Sequence, residues 1–356
     1  MCQVGDRASG FGSPDRTSVA TFTKVVSVRE LADGTLLVAD RGDNQLVWMR
    51  WATDSLQPIG RVGSGPNEYR AIGWLYPLPG DTTLFTDVYS SRWFLLHGRR
   101  IVAMSGEQAP INLLLGAELY GADSLGNVAG ARGVSAGVVT RSRTRADSLL
   151  ALRINRQTLA TDTISMLVGR GGKGFKLLPP RGSAPGVIVG ANPLASEDQA
   201  LLFVDGWIAV SHLDPYRVDW RRPDGRWVQG APITTSRVAV TARLKCQETA
   251  RLLGSAWPCD VADLQGWPDY VPAFLPTNPG NPYLPLLPAP GGRVVIGRTV
   301  LAGQRNRSYD VVGRNGRERT IELPINERLI GFGANAAFTI RTDGDGFERI
   351  VRYPWP

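Results

Sequence analysis

Histidine is nearly missing from this chain: among 356 residues only His97 and His212 carry an imidazole. Cysteine is as scarce, at Cys2, Cys246 and Cys259, with no CxxC pair and no His/Cys cluster to suggest zinc. No run of about eighteen apolar residues occurs, so no membrane-spanning helix is expected. The opening MCQVGDRASGFGSPDRTS lacks an apolar h-region, so no intact signal peptide is expected either. There is no basic run, no helix-turn-helix and no RNP-like aromatic motif, and nucleic acid is not an expected partner.

Glycine and proline are plentiful, at 41 and 25, while the charged fraction is only 20%. Many tight turns between short strands would produce that balance. The net charge of +8, carried mainly by arginine, favours acidic partners or serves solubility.

A repeat organises the chain. VVSVRELADGTLLVADRGDNQLVWMRWATDSLQPIGRVG (25–63) reads as strand, Asp33-Gly34 turn, strand, polar turn, strand, turn, strand. The same grammar returns at 71–104, where LFTD matches LVAD, then at 117–133 continuing through SLLALRIN and DTISMLV. Further copies occupy 201–228, 285–323 and 328–353. First-turn markers fall at Gly34, Gly80, Gly126, Gly206, Gly292 and about Asn335, about 45 residues apart except around the fourth copy. A four-stranded unit of that length predicts an all-β chain folded as a six-bladed β-propeller, with a β-sandwich as the rival architecture. The sixth copy stops one strand short, and RTSVATF (16–22) is expected to supply the strand that closes it. The expected organisation is a flexible tail over 1–15 and one propeller over 16–356.

Two stretches break the period: the glycine-rich 169–186, and an insert of about 236–282. The insert holds the best helix candidate, TARLKCQETARLLG, capped by Thr241 and stopped by Gly254. Its face of Ala242, Cys246, Ala250 and Leu253 is expected to pack on the propeller. Cys246 and Cys259 could pair in an oxidising compartment or stay as two separate thiols. A proline-rich connector, WPDYVPAFLPTNPGNPYLPLLP, follows.

VSVRELADGTLLVADRGDNQLVWM resembles NHL-type and TolB-like six-bladed propellers, whose units pair a DG turn with a V-A-D strand end and a following Asn. GRVGSGPNEYRAI (60–72) resembles the G-x-G-P-x-E-[FY] linker of bacterial six-bladed propeller proteins, and the late pattern VPAFLP…PLLPAPGGRVVIGR also resembles that group. The resemblance implies fold more firmly than activity, together with an extracytoplasmic setting. In that setting Cys2 would be a lipid-bearing first residue ahead of a polar tether. Otherwise it is a free cysteine in a tail.

Candidate chemistry is sparse. Asp214 is near His212 in sequence, but no nucleophile-elbow motif accompanies either histidine, and a surface turn is the expected role of His212. Scarce histidine also weakens a likeness to quinoprotein dehydrogenases. RRPDGRW (221–227) lacks the leading Ser-x-Asp of a sialidase Asp-box and is explained by a hairpin turn. Lactonases of the gluconolactonase type hold a divalent cation with Glu, Asn and Asp, for which Glu30, Asp40, Asn44, Asp87 and Asn192 are available. Asp40 and Asp87 instead fit a turn-capping role at a repeated strand end. Arginine is the suggestive residue: Arg41, Arg92, Arg143, Arg217, Arg305, Arg307 and Arg341 fall in or beside turns joining second to third strands, with Asn44 in the first of them. Those turns share one propeller face, on which guanidinium groups would suit carboxylate, phosphate or acidic-polysaccharide ligands. The expected function is therefore a non-catalytic, extracytoplasmic binding propeller without a cofactor, for an anionic small molecule, polysaccharide or protein. A cation-dependent, lactonase-type hydrolase using calcium is the alternative.

Overall fold

The computed structural model describes residues 10–87, 89–90, 92–105, 119–133, 148–170, 175–177, 188–190, 193–194, 196–253, 267–275 and 286–355. Its architecture is all-β and β-propeller-like. The chain lays down antiparallel runs of four short strands, each strand beside the one before it.

The first sheet contains Val25–Glu30, Leu36–Asp40, Gln45–Arg50 and Ser55–Pro58, in that spatial order. Its second strand, LLVAD, is buried at every position, whereas its outermost strand is exposed throughout. That gradient explains why the inner strands read as near-continuous apolar runs. The second sheet comprises Ile72–Pro77, Thr82–Asp87, Arg92–His97 and Arg100–Met104.

A nine-stranded sheet follows. Its first run is Leu119–Ala122, Asn127–Gly133, Ser148–Asn155 and Thr161–Arg170, with Ser196–Glu197 on the outer edge. A second run, Gln199–Leu202, Ile208–Leu213, Tyr216–Arg221 and Trp227–Val228, meets it at one parallel bridge, Gly121 to Leu202. Gly121 has φ +132, and a Cβ there would stand 2.2 Å from the Leu202 carbonyl oxygen. Only glycine lets the two inner strands touch.

Leu286–Ala289, Arg293–Gly297, Asn306–Gly313 and Gly316–Pro324 form the next sheet. The last holds Glu327–Phe332, Ala336–Thr342 and Glu348–Pro354, and Arg16–Thr17 supplies its fourth strand in register with Arg352 and Val351. The N-terminal segment thus covers the free edge of the C-terminal sheet, as its sequence suggested. Five first-turn glycines, Gly34, Gly80, Gly126, Gly206 and Gly292, all have positive φ, from 63 to 86°. Asn335, the expected sixth marker, is not among the positive-φ residues.

Apolar clusters lie between successive sheets. Leu37, Leu46 and Trp48 of the first sheet meet Leu75, Phe85 and Phe94 of the second. The rings of Phe85 and Phe94 stack at 4.6 Å. Phe338, Ile340 and Ile350 of the last sheet meet Val25, Leu36 and Val47 of the first, so the packing returns on itself. Each such buried side chain contributes about 1.5–3 kcal/mol. A sandwich would place one core between two sheets; here cores and sheets alternate.

The insert contains a helix, Ala242–Leu253, capped by the Thr241 hydroxyl, which accepts the Leu244 N–H at 3.3 Å. Its buried face differs from the expected one: Glu248 and Thr249 are buried while Ala242 is exposed. Glu248 accepts the Ala302 N–H at 2.9 Å, so a buried carboxylate rather than an apolar stripe docks the helix. No described helix is long and apolar enough to cross a membrane.

Candidate functional site

Every sheet has two ends. At one, first strands turn into second strands. At the other, second strands turn into third strands and the chain passes to the next sheet. The sequence placed its candidate residues at this second end.

Carboxylates there act on the backbone. Asp40 accepts the N–H groups of Thr23, Lys24 and Gly42 at 2.8–3.0 Å. Asp87 repeats the arrangement, taking those of Arg70, Ala71, Tyr89 and Ser90 at 2.7–3.2 Å. Burial pushes the Asp87 carboxyl up, but these donors outweigh it and hold it below its ordinary value. A carboxylate at this strand end therefore pins the entering linker and the following turn together. Asn44, with φ 52°, donates to the Arg70 carbonyl at 2.7 Å and accepts the Ile72 N–H at 2.9 Å, tying the first sheet to the second. Tyr69 accepts the Leu46 N–H at 2.8 Å, and Glu68 accepts the Gly65 N–H at 2.6 Å. The 60–72 motif is thus a lock between sheets.

Where the strand-end aspartate is replaced, a different network does the same work. His212 Nδ1 lies 2.9 Å from Asp198 and Nε2 lies 3.0 Å from Asp219. Asp198 also accepts the Leu213 N–H at 3.0 Å. Both ring nitrogens face carboxylates, so the imidazole bridges Asp198 and Asp219. Burial pushes Asp219 up, but Arg217, the Gly230 N–H and His212 hold it below its ordinary value. In the next sheet Asp310, fully buried, accepts from the Tyr216 hydroxyl at 2.9 Å, from Arg298 at 2.8 Å and from Thr320 at 3.0 Å. Glu327 gathers Thr339, Arg341 and Tyr353, whose phenol is pushed up to about 12 by burial and by that carboxylate.

The arginines divide into two groups. Arg92 is 3% exposed and donates to the Ser64 and Glu68 carbonyls at 3.3 Å, holding the linker down. Arg217 forks onto Asp219 at 3.0–3.2 Å and Arg341 meets Glu327 at 2.9 Å. Arg307 donates to the Ile325 carbonyl at 2.9 Å. Arg41, half-buried, and Arg305, exposed, form no ion pair among the described residues, and Arg143 lies outside them. Sequence reasoning missed two further cations, both carried by the insert. Arg237 stacks at 4.6 Å over Tyr270 and Arg243 stands exposed, and neither is ion-paired among the described residues. Exposed Tyr89, Phe347 and Tyr270 share this end. The lack of a repeat in the insert hid its part of the surface.

The lactonase-type ligand set is not brought together. Asp40, Asp87 and Asn44 serve the backbone as above, Glu30 lies 3.7 Å from Arg352, and Asn192 falls outside the described residues. Among the described residues, no group of three or more His, Cys, Asp and Glu side chains is placed to hold a metal.

Known structures share the fold. A candidate exported protein of Bacteroides fragilis superposes with a TM-score of 0.52 at 10% identity, over 98% of this chain and 99% of that one. Virginiamycin B lyase of Staphylococcus aureus gives 0.42 at 8% identity, over 94% and 96%. Aldose sugar dehydrogenase of Streptomyces coelicolor gives 0.42 at 12%, over 96% and 97%. No protein-family profile matches the chain, and no curated protein matches it. Likeness at such identity is likeness of fold, and the two enzyme names say nothing of what this chain does.

Proposed function

We propose that this chain is a non-catalytic binding propeller of six blades that presents its second-turn end to an anionic partner outside the cytoplasm. Six blades follow from reading the nine-stranded sheet as two four-stranded runs joined by the Gly121 bridge. The first sheet carries the DG turn and V-A-D strand end that resemble NHL-type and TolB-like propellers, and the second follows with LFTD.

One observation carries the binding reading. Guanidinium groups without ion pairs among the described residues (Arg41, Arg237, Arg243, Arg305) share one end of the sheets with exposed Tyr89, Phe347 and Tyr270. Arginine and tyrosine are the residues that dominate binding surfaces, and a guanidinium suits carboxylate, phosphate or sulfate oxygens. The bound cysteine favours an oxidising setting: Cys246 is disulfide-bonded, and its partner lies outside the described residues. A lipid on Cys2 would hold such a propeller at a membrane surface.

The test compares retention on heparin and binding to poly-glutamate for the wild type and the double variant Arg41→Glu/Arg305→Glu. The expected result is binding weakened at least about tenfold, with a shallower dependence on salt. Arg99→Glu/Arg226→Glu, at the opposite end, makes the same change in net charge and should have little effect. Equal losses in both pairs would mean that only net charge matters, and the reading would fall.

A further inference from the structure

The opposite end of the molecule holds a cavity of about 330 Å³ that the anionic-partner reading does not use. It is lined by the first strands of every run, and chiefly by their C-terminal halves and the turns that follow, including Pro77, Val204, Gly292 and Gly333. It therefore belongs to the first-turn end, away from Arg41 and Arg305. Its size lies at the lower limit for small-molecule sites, about 300–1,000 Å³.

The lining is largely apolar, with two polar groups that matter. Trp74 is 6% exposed and serves as wall, since its Nε1–H is itself buried out of contact with the space. Ser27 accepts the Leu75 N–H at 3.2 Å through its hydroxyl oxygen and keeps its own proton for another acceptor. Asp205 stands at the rim, but its charge is met by Arg314, whose guanidinium also lies 4.1 Å over the Trp207 ring. The cavity thus offers apolar walls and one hydroxyl donor, and its rim carboxylate is already paired.

We infer that this axial cavity is a second binding site, for a small, neutral, largely apolar molecule bearing a carbonyl or ether oxygen. The oxygen accepts from Ser27 Oγ, and the apolar body fills the space between the inner strands. An anionic molecule does not suit it, because among the described residues no cation lines the space and desolvating a charge there would go uncompensated.

The probe is prodan, a neutral naphthyl ketone whose emission responds to leaving water and to accepting a hydrogen bond. Titration of the full chain should show saturable binding. Val204 is 44% exposed at the rim, so Val204→Arg can block the entrance without disturbing the core. Its expected effect is a loss of affinity of at least about tenfold. Arg41→Glu/Arg305→Glu should leave prodan binding unchanged, which separates this site from the anionic one. Absence of saturable binding, or binding that Val204→Arg leaves intact, would overturn the site.

Discussion

Arg29 shows how the strand ends are held at the scale of one residue. Its guanidinium is 6% exposed and donates to Thr83 Oγ1 at 2.7 Å and to the carbonyls of Leu78 at 3.0 Å and Gly80 at 2.6 Å, with Thr82 as a further partner. Burial lowers its pKa to about 10, with Asp81 opposing the shift. A planar fork can serve several carbonyls at once, which an ammonium cannot. Arg29→Lys and Arg29→Met are both expected to cost about 3 kcal/mol in urea unfolding, because the second sheet's first turn is left with orphaned buried acceptors. Full rescue by lysine would show that charge, not the fork, is what counts. Asp87 makes the pH counterpart. Its folded pKa lies below the ordinary value, so its contribution is present above about pH 4 and is lost as pH falls through the folded value. Asp219 is depressed in the same sense. Melting temperature should therefore fall steeply below about pH 4. Asp87→Asn should be less stable at pH 7 by about 2 kcal/mol and should lose less on acidification. Parallel acid curves for variant and wild type would refute this role.

At the scale of elements, the closing strand matters out of proportion to its two residues. Arg16–Thr17 pairs with the last sheet, Phe22 is 2% exposed between the last and first sheets, and Phe11 stacks on Tyr353 at 5.2 Å. A chain lacking residues 1–22 exposes the edge of Glu348–Pro354 and removes an apolar residue from the seam. It should melt lower by several degrees and self-associate in light scattering, since an unpaired edge is a template for another strand. A monomer of unchanged melting temperature would mean that the seam closes without it. This closure was legible in the sequence because a missing fourth strand and a spare apolar segment are both features of pattern. The five first-turn glycines were legible for a related reason, since a positive φ demands a particular residue. The helix existed where Thr241 and Gly254 suggested, yet its buried face turned on Glu248, which no hydrophobic period marks. The roles of Arg92, Arg217 and Arg341 were hidden likewise. A sequence shows that an arginine sits near a turn, but whether Asp219 or Glu327 meets it depends on strands folded beside it.

At the scale of the whole molecule, the ring and the insert are held by different forces. The sheets close through apolar seams and a shared last sheet, none of which involves Cys246. The insert is joined by a few contacts: Phe274, fully buried against the fourth run, the Ser196 hydroxyl donating to the Phe274 carbonyl at 2.6 Å, Thr299 donating to the Pro272 carbonyl at 2.6 Å, and Glu248 on Ala302. A disulfide acts mainly by restricting the chain it closes once that chain is loosened. Reducing the Cys246 disulfide should therefore loosen the insert and leave the ring in place. The expected outcome is faster tryptic cleavage at Arg243, Lys245 and Arg251, while the main melting transition moves by less than about 2 °C, because local opening and global unfolding are separate events. Because Arg237 and Arg243 ride on this insert, the same treatment should weaken heparin retention without altering prodan binding at the far end. A large fall in the main transition would instead make the disulfide part of the ring's own closure, and the division between a rigid scaffold and a separately held binding surface would have to be abandoned.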